Sequence, residues 1–234
     1  MHNYDLLVEH TGATQQYLLD APIIVDLGRG AFDLSMYQAF LCNAYHHVRY
    51  TVPLMMATGS RLAPHRVRLL QAFREYIDEE IGHEQWILND LEACGLRRSD
   101  VERSPPNMAT ELLVAYVRDY ICNVEPLGFF GMVHVLEGTS TSLASTTADL
   151  VQTKLGLPDQ AFSYLRSHGA LDVAHVAFFR ELLEELDAEE MQHVIHVANR
   201  VYHLYGDVLR SVPRLEVDVS TTNDSMSGDS LDAA

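Results

Sequence analysis

Residues 167–175 read Ser-His-Gly-Ala-Leu-Asp-Val-Ala-His, and this stretch is the sharpest pattern of candidate metal ligands in the sequence. In an α-helix, His168, Asp172 and His175 follow an i, i+4, i+7 spacing and share one face. The next positions on that stripe are apolar, namely Phe179 and Leu182 or Leu183. A stripe that continues with apolar residues faces a core and not water. Three side chains with metal-ligand chemistry are therefore predicted to point into a helical bundle.

Helical periodicity extends over nearly the whole chain, and no run of alternating polar and apolar residues predicts a sheet. Residues that commonly end or begin helices lie between the predicted helices, such as Gly95 after one helix and Ser104-Pro105-Pro106 before the next. The prediction is an all-α fold, a compact bundle of seven to eight helices. The predicted helices span about residues 4–19, 33–58, 63–94, 107–123, 127–154, 159–167, 169–187 and 188–209.

The length of 234 residues is enough for one well-buried domain. Residues 216–234 contain five acids and no Lys or Arg, which is typical of a disordered acidic tail. The predicted organisation is a helical domain over residues 1–215 followed by that tail.

The three cysteines form no Cys-x-x-Cys pair, so neither a disulfide framework nor a cysteine zinc site is expected.

The net charge of −17 makes nucleic acid and anionic membrane surfaces poor partners, because both attract basic proteins. No signal peptide and no span of 18 apolar residues is found, so a cytoplasmic protein is expected. The chain also holds 12 histidines beside its 33 acidic residues. Acidic residues and histidines are the residue types that bind metals in proteins, although they are also common on solvated helix faces.

A second metal-ligand pattern occurs in residues 78–86, which read Asp-Glu-Glu-Ile-Gly-His-Glu-Gln-Trp. In one continuous helix, Glu80 and His83 are i, i+3 neighbours and point to one face. Such a Glu-x-x-His pair is how helical bundles deliver a carboxylate and an imidazole to a metal. Glu79 is i, i+4 from His83, so the sequence leaves open which glutamate faces inward. The alternative is a solvated acidic face.

Glu137 is a third candidate, since it lies among apolar and small residues over 131–140. A buried carboxylate must be paired or must coordinate a metal. The alternative is a structural carboxylate bonded to a hydroxyl or an arginine. His134 is three residues earlier and is interpreted either as a neighbour of the site or as a core histidine bonded to backbone.

Three carboxylates and three imidazoles suit two iron or manganese ions, whereas zinc usually takes four ligands and calcium does not recruit imidazoles.

A second row of possible ligands consists of Glu189, His193 and His196. It follows an acidic segment and is interpreted as surface, with the histidines at a pocket or a dimer contact. Of the adjacent pair His46 and His47, one could reach a substrate carboxylate, as could Arg49.

The motifs resemble those of the haem-oxygenase-like diiron oxidases and oxygenases, whose superfamily shares its helical fold with the TenA and PqqC branches. The resemblance rests on the order and spacing of the Glu-x-x-His motif, the isolated glutamate and the His-x-x-x-Asp-x-x-His motif, over about residues 35–185. It implies a haem-oxygenase-like bundle with two Fe(II)/Fe(III) ions, or manganese, and O2 as co-substrate. The implied metal ligands are Glu80, His83, Glu137, His168, Asp172 and His175.

By that resemblance, the expected function is oxidation of a small molecule in specialised metabolism, first of all an amino acid or amine-bearing substrate. The outcomes considered are N-oxygenation, C–C or C–N cleavage and oxidative rearrangement such as nitrile formation. Alternatives are decarboxylation of a fatty acid and a metal-independent TenA- or PqqC-like enzyme that depends on Cys122 or on pocket His and Tyr residues. A further alternative is a non-catalytic helical binding protein or a haem binder. A homodimer is expected from the resemblance alone. The predicted pocket residues are His47, Arg49, Trp86, Phe130, His134, Phe179 and His196.

Overall fold

The computed structural model describes residues 2–215, apart from the side chains of 168–175. This part of the chain forms α-helices and two short 3-10 segments, Pro126–Gly128 and Asp159–Ala161, and it contains no β-strand. The predicted all-α class is therefore confirmed. The predicted tail over residues 216–234 lies outside the described residues. The helices are α1 (Asn3–Leu19), α2 (Pro22–Gly28), α3 (Leu34–Val48), α4 (Thr51–Arg61), α5 (Val67–Glu80), α6 (His83–Ala93), α7 (Arg98–Arg103), α8 (Met108–Asn123), α9 (Phe129–Leu155), α10 (Ser163–Leu183) and α11 (Ala188–Arg210).

Two predicted helices are each broken in the structure. The predicted helix over 33–58 divides into α3 and α4 at Arg49 and Tyr50. The predicted helix over 63–94 divides into α5 and α6 at Gly82, whose φ of 91° is incompatible with a continuing right-handed helix. Conversely, the predicted break at residues 167–169 is absent, because α10 is one helix. Gly169 inside α10 lowers helix stability by only about 1 kcal/mol. The packing of α10 along α9 is sufficient to offset this loss.

The core consists of two apolar clusters. The first is built around α8, α11 and the amino-terminal half of α9, and it includes the stacked rings of Phe73 and Phe130. The second lies around α3, α6 and the carboxy-terminal half of α9, and it includes the stacked rings of Tyr37 and Phe162. Helix α9 has 27 residues and takes part in both clusters, so it is the central element of the bundle.

Helices α9 and α11 pack closely because Gly131 lacks a side chain. A Cβ atom at Gly131 would lie 2.6 Å from both the Val194 carbonyl oxygen and the Ala198 amide nitrogen. One turn further along both helices, the rings of His134 and Tyr202 meet at 5.9 Å. The two helices therefore run in the same direction with a defined register.

None of the described helices combines the length and the apolar content that crossing a bilayer requires.

Candidate metal centre and its cavity

Glu80 and His83 meet across the break between two helices. Glu80 is the last residue of α5, His83 is the first residue of α6, and Gly82 makes the turn between them. The Oε2 atom of Glu80 lies 3.0 Å from Nδ1 of His83, with side chains 12% and 4% exposed. Glu79 is exposed, so the inward-facing glutamate of this motif is Glu80. The predicted pairing of Glu80 with His83 is present. It arises from the turn at Gly82, whose backbone is left-handed, and not from one continuous helix face.

The His83 ring is fixed by an aromatic neighbour one turn along α6. The indole of Trp86 stacks on the imidazole, with ring centroids 4.0 Å apart and planes 24° apart. Stacking against a half-buried indole limits rotation of the imidazole about its χ angles. Trp86 was predicted to line the pocket, and its observed place is behind a candidate ligand.

A cavity of about 170 Å³ lies where the two apolar clusters meet. Glu80 and Glu137 both lie on its wall, which joins the first motif to the isolated glutamate of α9. The described residues of the wall include no Lys, Arg or His, so the cavity is acidic where these two carboxylates lie. Most of the wall is apolar, with residues such as Ile23, Ile24, Leu27, Phe32, Met36, Phe40, Met55, Phe129, Met132, Val133, Leu136, Leu143 and Leu165.

His168, Asp172 and His175 lie on α10, but their side chains are outside the described residues. Helix α10 packs against α9 and α6, which carry Glu137 and His83. Among the side chains that the structure describes, no group of three His, Cys, Asp or Glu residues forms a metal cluster. Glu80, His83 and Glu137, the three proposed ligands whose side chains are described, therefore do not form a complete metal site by themselves.

A buried carboxylate that the sequence motifs did not reveal anchors α10. Asp90 on α6 is fully buried and accepts hydrogen bonds from the backbone nitrogens of Ser163 at 3.0 Å and Tyr164 at 2.9 Å. The Ser163 hydroxyl also donates to it. Burial raises the pKa of Asp90, although the bonds from Ser163 and Tyr164 favour its charged form. Asp90 is seven residues after His83, on the same face of α6 two turns on, and this spacing was the available sequence signal.

None of the predicted pocket residues is among the described residues of this cavity's wall, and His196 instead lines a second pocket, between α1 and α11. Phe130 and Phe179 pack together in the first apolar cluster, with centroids 5.9 Å apart. Arg49 is exposed and lies over the rings of Tyr45 and Tyr50. Helices in a two-cluster core bury more than one face, so burial alone did not identify the face that meets the cavity.

Three histidines with predicted roles have different environments. His47 is buried and meets the ring of Tyr205, a wall residue, edge-on at 5.6 Å. His196 is exposed and stacks on the Tyr120 ring, away from the described wall. His134 is buried with Nε2 3.4 Å from the hydroxyls of Thr11 and Tyr202, and burial lowers its pKa to about 4. His134 is therefore a neutral core histidine.

Cys122, the candidate nucleophile of the metal-independent alternative, is exposed on α8. It is not among the described residues of the cavity wall. Its position therefore gives no support to nucleophilic catalysis in the cavity.

Comparison with known proteins identifies the class. The family model described as "Iron-containing redox enzyme" matches residues 38–206, and the chain belongs to this family. No curated protein matches the chain in sequence. The chain is thus an iron-containing redox enzyme, and the predicted oxidoreductase class is confirmed.

Solved structures show the haem-oxygenase-like fold. A domain of unknown function with that fold from Shewanella denitrificans is 23% identical, with a TM-score of 0.80 over 91% of this chain and 92% of that chain. A TenA homologue from Pseudomonas syringae is 9% identical, with a TM-score of 0.73 over 88% and 90%. Haem oxygenase-1 from the cyanobacterium Synechocystis, in complex with haem, is 13% identical, with a TM-score of 0.70 over 89% and 91%. The predicted fold is confirmed.

Proposed function

We propose that this protein is a non-haem diiron enzyme that uses O2 to oxidise a small molecule. The observation that carries the proposal is the 3.0 Å contact of Glu80 with His83 beside a cavity whose wall also holds Glu137. Helix α10, which carries the other three proposed ligands in its sequence, packs against the helices that carry His83 and Glu137. The proposed ligands are Glu80, His83, Glu137, His168, Asp172 and His175.

The donor set fits this group. Carboxylates and imidazoles are ligands that iron and manganese accept, and three of each match two ions better than one. Three carboxylates against two divalent cations leave positive charge for oxygen-derived ligands. An acidic region in an apolar wall is a favourable place for cations, because a carboxylate buried there is stabilised by coordination. When bound, reduced iron would supply the electrons and the coordination site that O2 activation requires.

The chain's own residues would orient the ligands and keep water out. Trp86 holds the ring of His83, and Asp90 fixes the first turn of α10. The apolar wall limits water around the reacting groups, which strengthens electrostatic interactions inside the cavity. Interactions behind the ligands commonly set metal affinity and reactivity, so both residues would act through the ligands they position.

The proposed substrate is an amino acid or an amine-bearing molecule with a small apolar body. The apolar wall fits that body, and the cavity is on the scale of engineered cavities of about 150 Å³ that bind benzene. The acidic region fits an amine that approaches the ligands. Oxidation would then take the form of N-oxygenation, bond cleavage or rearrangement.

A second candidate is oxidative decarboxylation of an aliphatic acid. It is favoured by the aliphatic composition of the wall. Because the described wall has no cationic side chain, the carboxylate of such a substrate would bind at the metals. Oxygen uptake with a panel of amino acids, amines and aliphatic acids separates the two candidates, and uptake stimulated only by acids that lack an amine would favour the second.

The metal proposal is tested by anaerobic loading of the purified chain with Fe(II). About two irons per chain without a haem Soret band are expected, with reduced uptake in His168→Ala, His175→Ala and Glu137→Gln. The exposed His65→Ala variant is the matched control and should load like wild type. A Soret band with haem and no uptake of free iron would overturn the proposal, as would metal-independent activity that depends on Cys122.

A further inference from the structure

Two tyrosines are buried on the described wall of the cavity, and their hydroxyls differ. Tyr37 is 4% exposed, and its hydroxyl donates to the backbone carbonyl of Ala161 at 2.7 Å. Tyr205 is 8% exposed, and its hydroxyl makes no hydrogen bond with the described part of the chain, but it is not among the buried side-chain atoms that water cannot reach. The threonine hydroxyls of the wall belong to half-buried residues, which water reaches more easily. Tyr205 is thus the buried phenol of the wall with an unused donor.

A hydroxyl that lines an apolar cavity and has no protein partner must take its hydrogen-bond acceptor from water or from an occupant of the cavity. Burial raises the pKa of Tyr205 to about 12, so the phenol is protonated at neutral pH and is available as a donor. A hydrogen-bond acceptor on a molecule in the cavity would take the place of that water.

The phenol is held in place by its surroundings. His47 meets the Tyr205 ring edge-on at 5.6 Å with planes 77° apart. Helix α11 is fixed against α9 by the close approach at Gly131 and by the contact of His134 with Tyr202. The same register, carried one helical turn further, brings Tyr205 to the level of Glu137. A donor and a carboxylate would then lie at the same level of one cavity.

We propose that Tyr205 is a specificity-determining residue that donates a hydrogen bond to a carbonyl or carboxylate oxygen of an otherwise apolar occupant of the cavity. The identification of this occupant as the substrate rests on the proposed function, but the binding itself does not. For an amino-acid or aliphatic-acid substrate, the acceptor is an oxygen of its carboxyl group. The described wall has no Lys, Arg or His, so a neutral phenol is the donor that this wall offers in place of a cation.

The test uses two probes of nearly equal shape, acetophenone with a carbonyl and α-methylstyrene with a methylidene group in its place. Their dissociation constants are measured by protein NMR on the full chain, in wild type, Tyr205→Phe and Tyr37→Phe. Wild type should prefer acetophenone over its hydrocarbon partner by roughly three- to tenfold more than Tyr205→Phe does. Tyr37→Phe is the matched control and should keep the wild-type ratio, since its hydroxyl is already bonded to Ala161.

An unchanged ratio in Tyr205→Phe, an equal change in Tyr37→Phe, or binding of neither probe would each overturn the inference. Circular dichroism of each variant establishes that it is folded. The titrations are run on chelator-treated chain and on chain loaded anaerobically with Fe(II). Failure of iron loading would overturn the diiron proposal and leave a Tyr205-dependent ratio intact, whereas normal iron loading with an unchanged ratio would overturn this inference alone.

Discussion

The carboxylate of Glu80 lies 3.0 Å from the imidazole of His83, although the two residues end and begin different helices. The turn between them depends on Gly82, whose φ of 91° is in the left-handed region. This turn redirects the chain so that the first residue of α6 faces the last residue of α5. A metal-ligand pair is thereby built at a helix junction.

Gly82→Ala should lower the free energy of unfolding by about 1–2 kcal/mol, because an L-residue is strained in the left-handed region. It should also weaken Fe(II) binding, since the strain shifts His83 relative to Glu80. The matched control is Gly95→Ala, at φ of 90° and with open space around its Cβ as at Gly82. Equal losses of iron affinity in both variants, measured by anaerobic titration, would contradict the assigned role of Gly82.

Asp90→Asn should destabilise the fold by about 1–3 kcal/mol, because an amide that replaces the buried carboxylate leaves a donor facing the backbone nitrogens of α10. Urea unfolding measures the loss. Asp187→Asn is the control, since Asp187 caps α11 in the same way but is exposed. It should cost about 1 kcal/mol or less. Iron uptake should fall only in the Asp90 variant, and a normal iron content in that variant would refute the anchoring role.

Gly131→Ala should cost at least about 1–3 kcal/mol of unfolding free energy, because the new methyl group would overlap the backbone of α11. Gly138→Ala on the same helix has no atom within 4 Å of its Cβ and should be neutral or slightly stabilising. Thermal unfolding of the two variants compares them directly. Similar midpoints would show that α9 and α11 are not packed as closely as described.

The pH dependence of stability should contain a contribution from His134. Its pKa is about 4 in the folded state and about 6.5 when unfolded, so the unfolded chain binds more protons between these values. Stability should therefore fall as pH falls from about 6.5 towards 4, by on the order of 3 kcal/mol from this group. His134→Gln does not titrate and should show a shallower decline in urea unfolding between pH 7 and 4. Parallel declines would contradict the neutral core histidine.

The sequence predicted the helical class because apolar residues recur with helical spacing through most of the chain. It also predicted that Glu80 and His83 come together. It could not predict the turn at Gly82, because Glu-x-x-His has the spacing of one helix face and an internal glycine is tolerated in a helix. It left Glu79 and Glu80 undecided, and their different exposure follows from how α5 packs.

The residues that line the cavity could not be predicted from helical periodicity. Phe130 and Phe179 have the periodicity of buried residues, and they are buried, but they face the core and not the cavity. Periodicity reports the distance of a side chain from water, not which neighbour it meets. The role of Asp90 could not be predicted because its hydrogen-bond partners, at the start of α10, are far away in sequence. The role proposed for Tyr205 could not be predicted because it depends on a molecule that is not part of the chain.

The central claim is that two metal ions bind between α5, α6, α9 and α10. The most direct measurement is a crystal structure of the chain loaded anaerobically with Fe(II), with anomalous diffraction collected at the iron edge. We expect two anomalous peaks per chain within bonding distance of the six ligands, one or both of them beside Glu80, His83 and Glu137. A single peak inside a porphyrin, or no peak beside Glu80 and His83, would contradict the account.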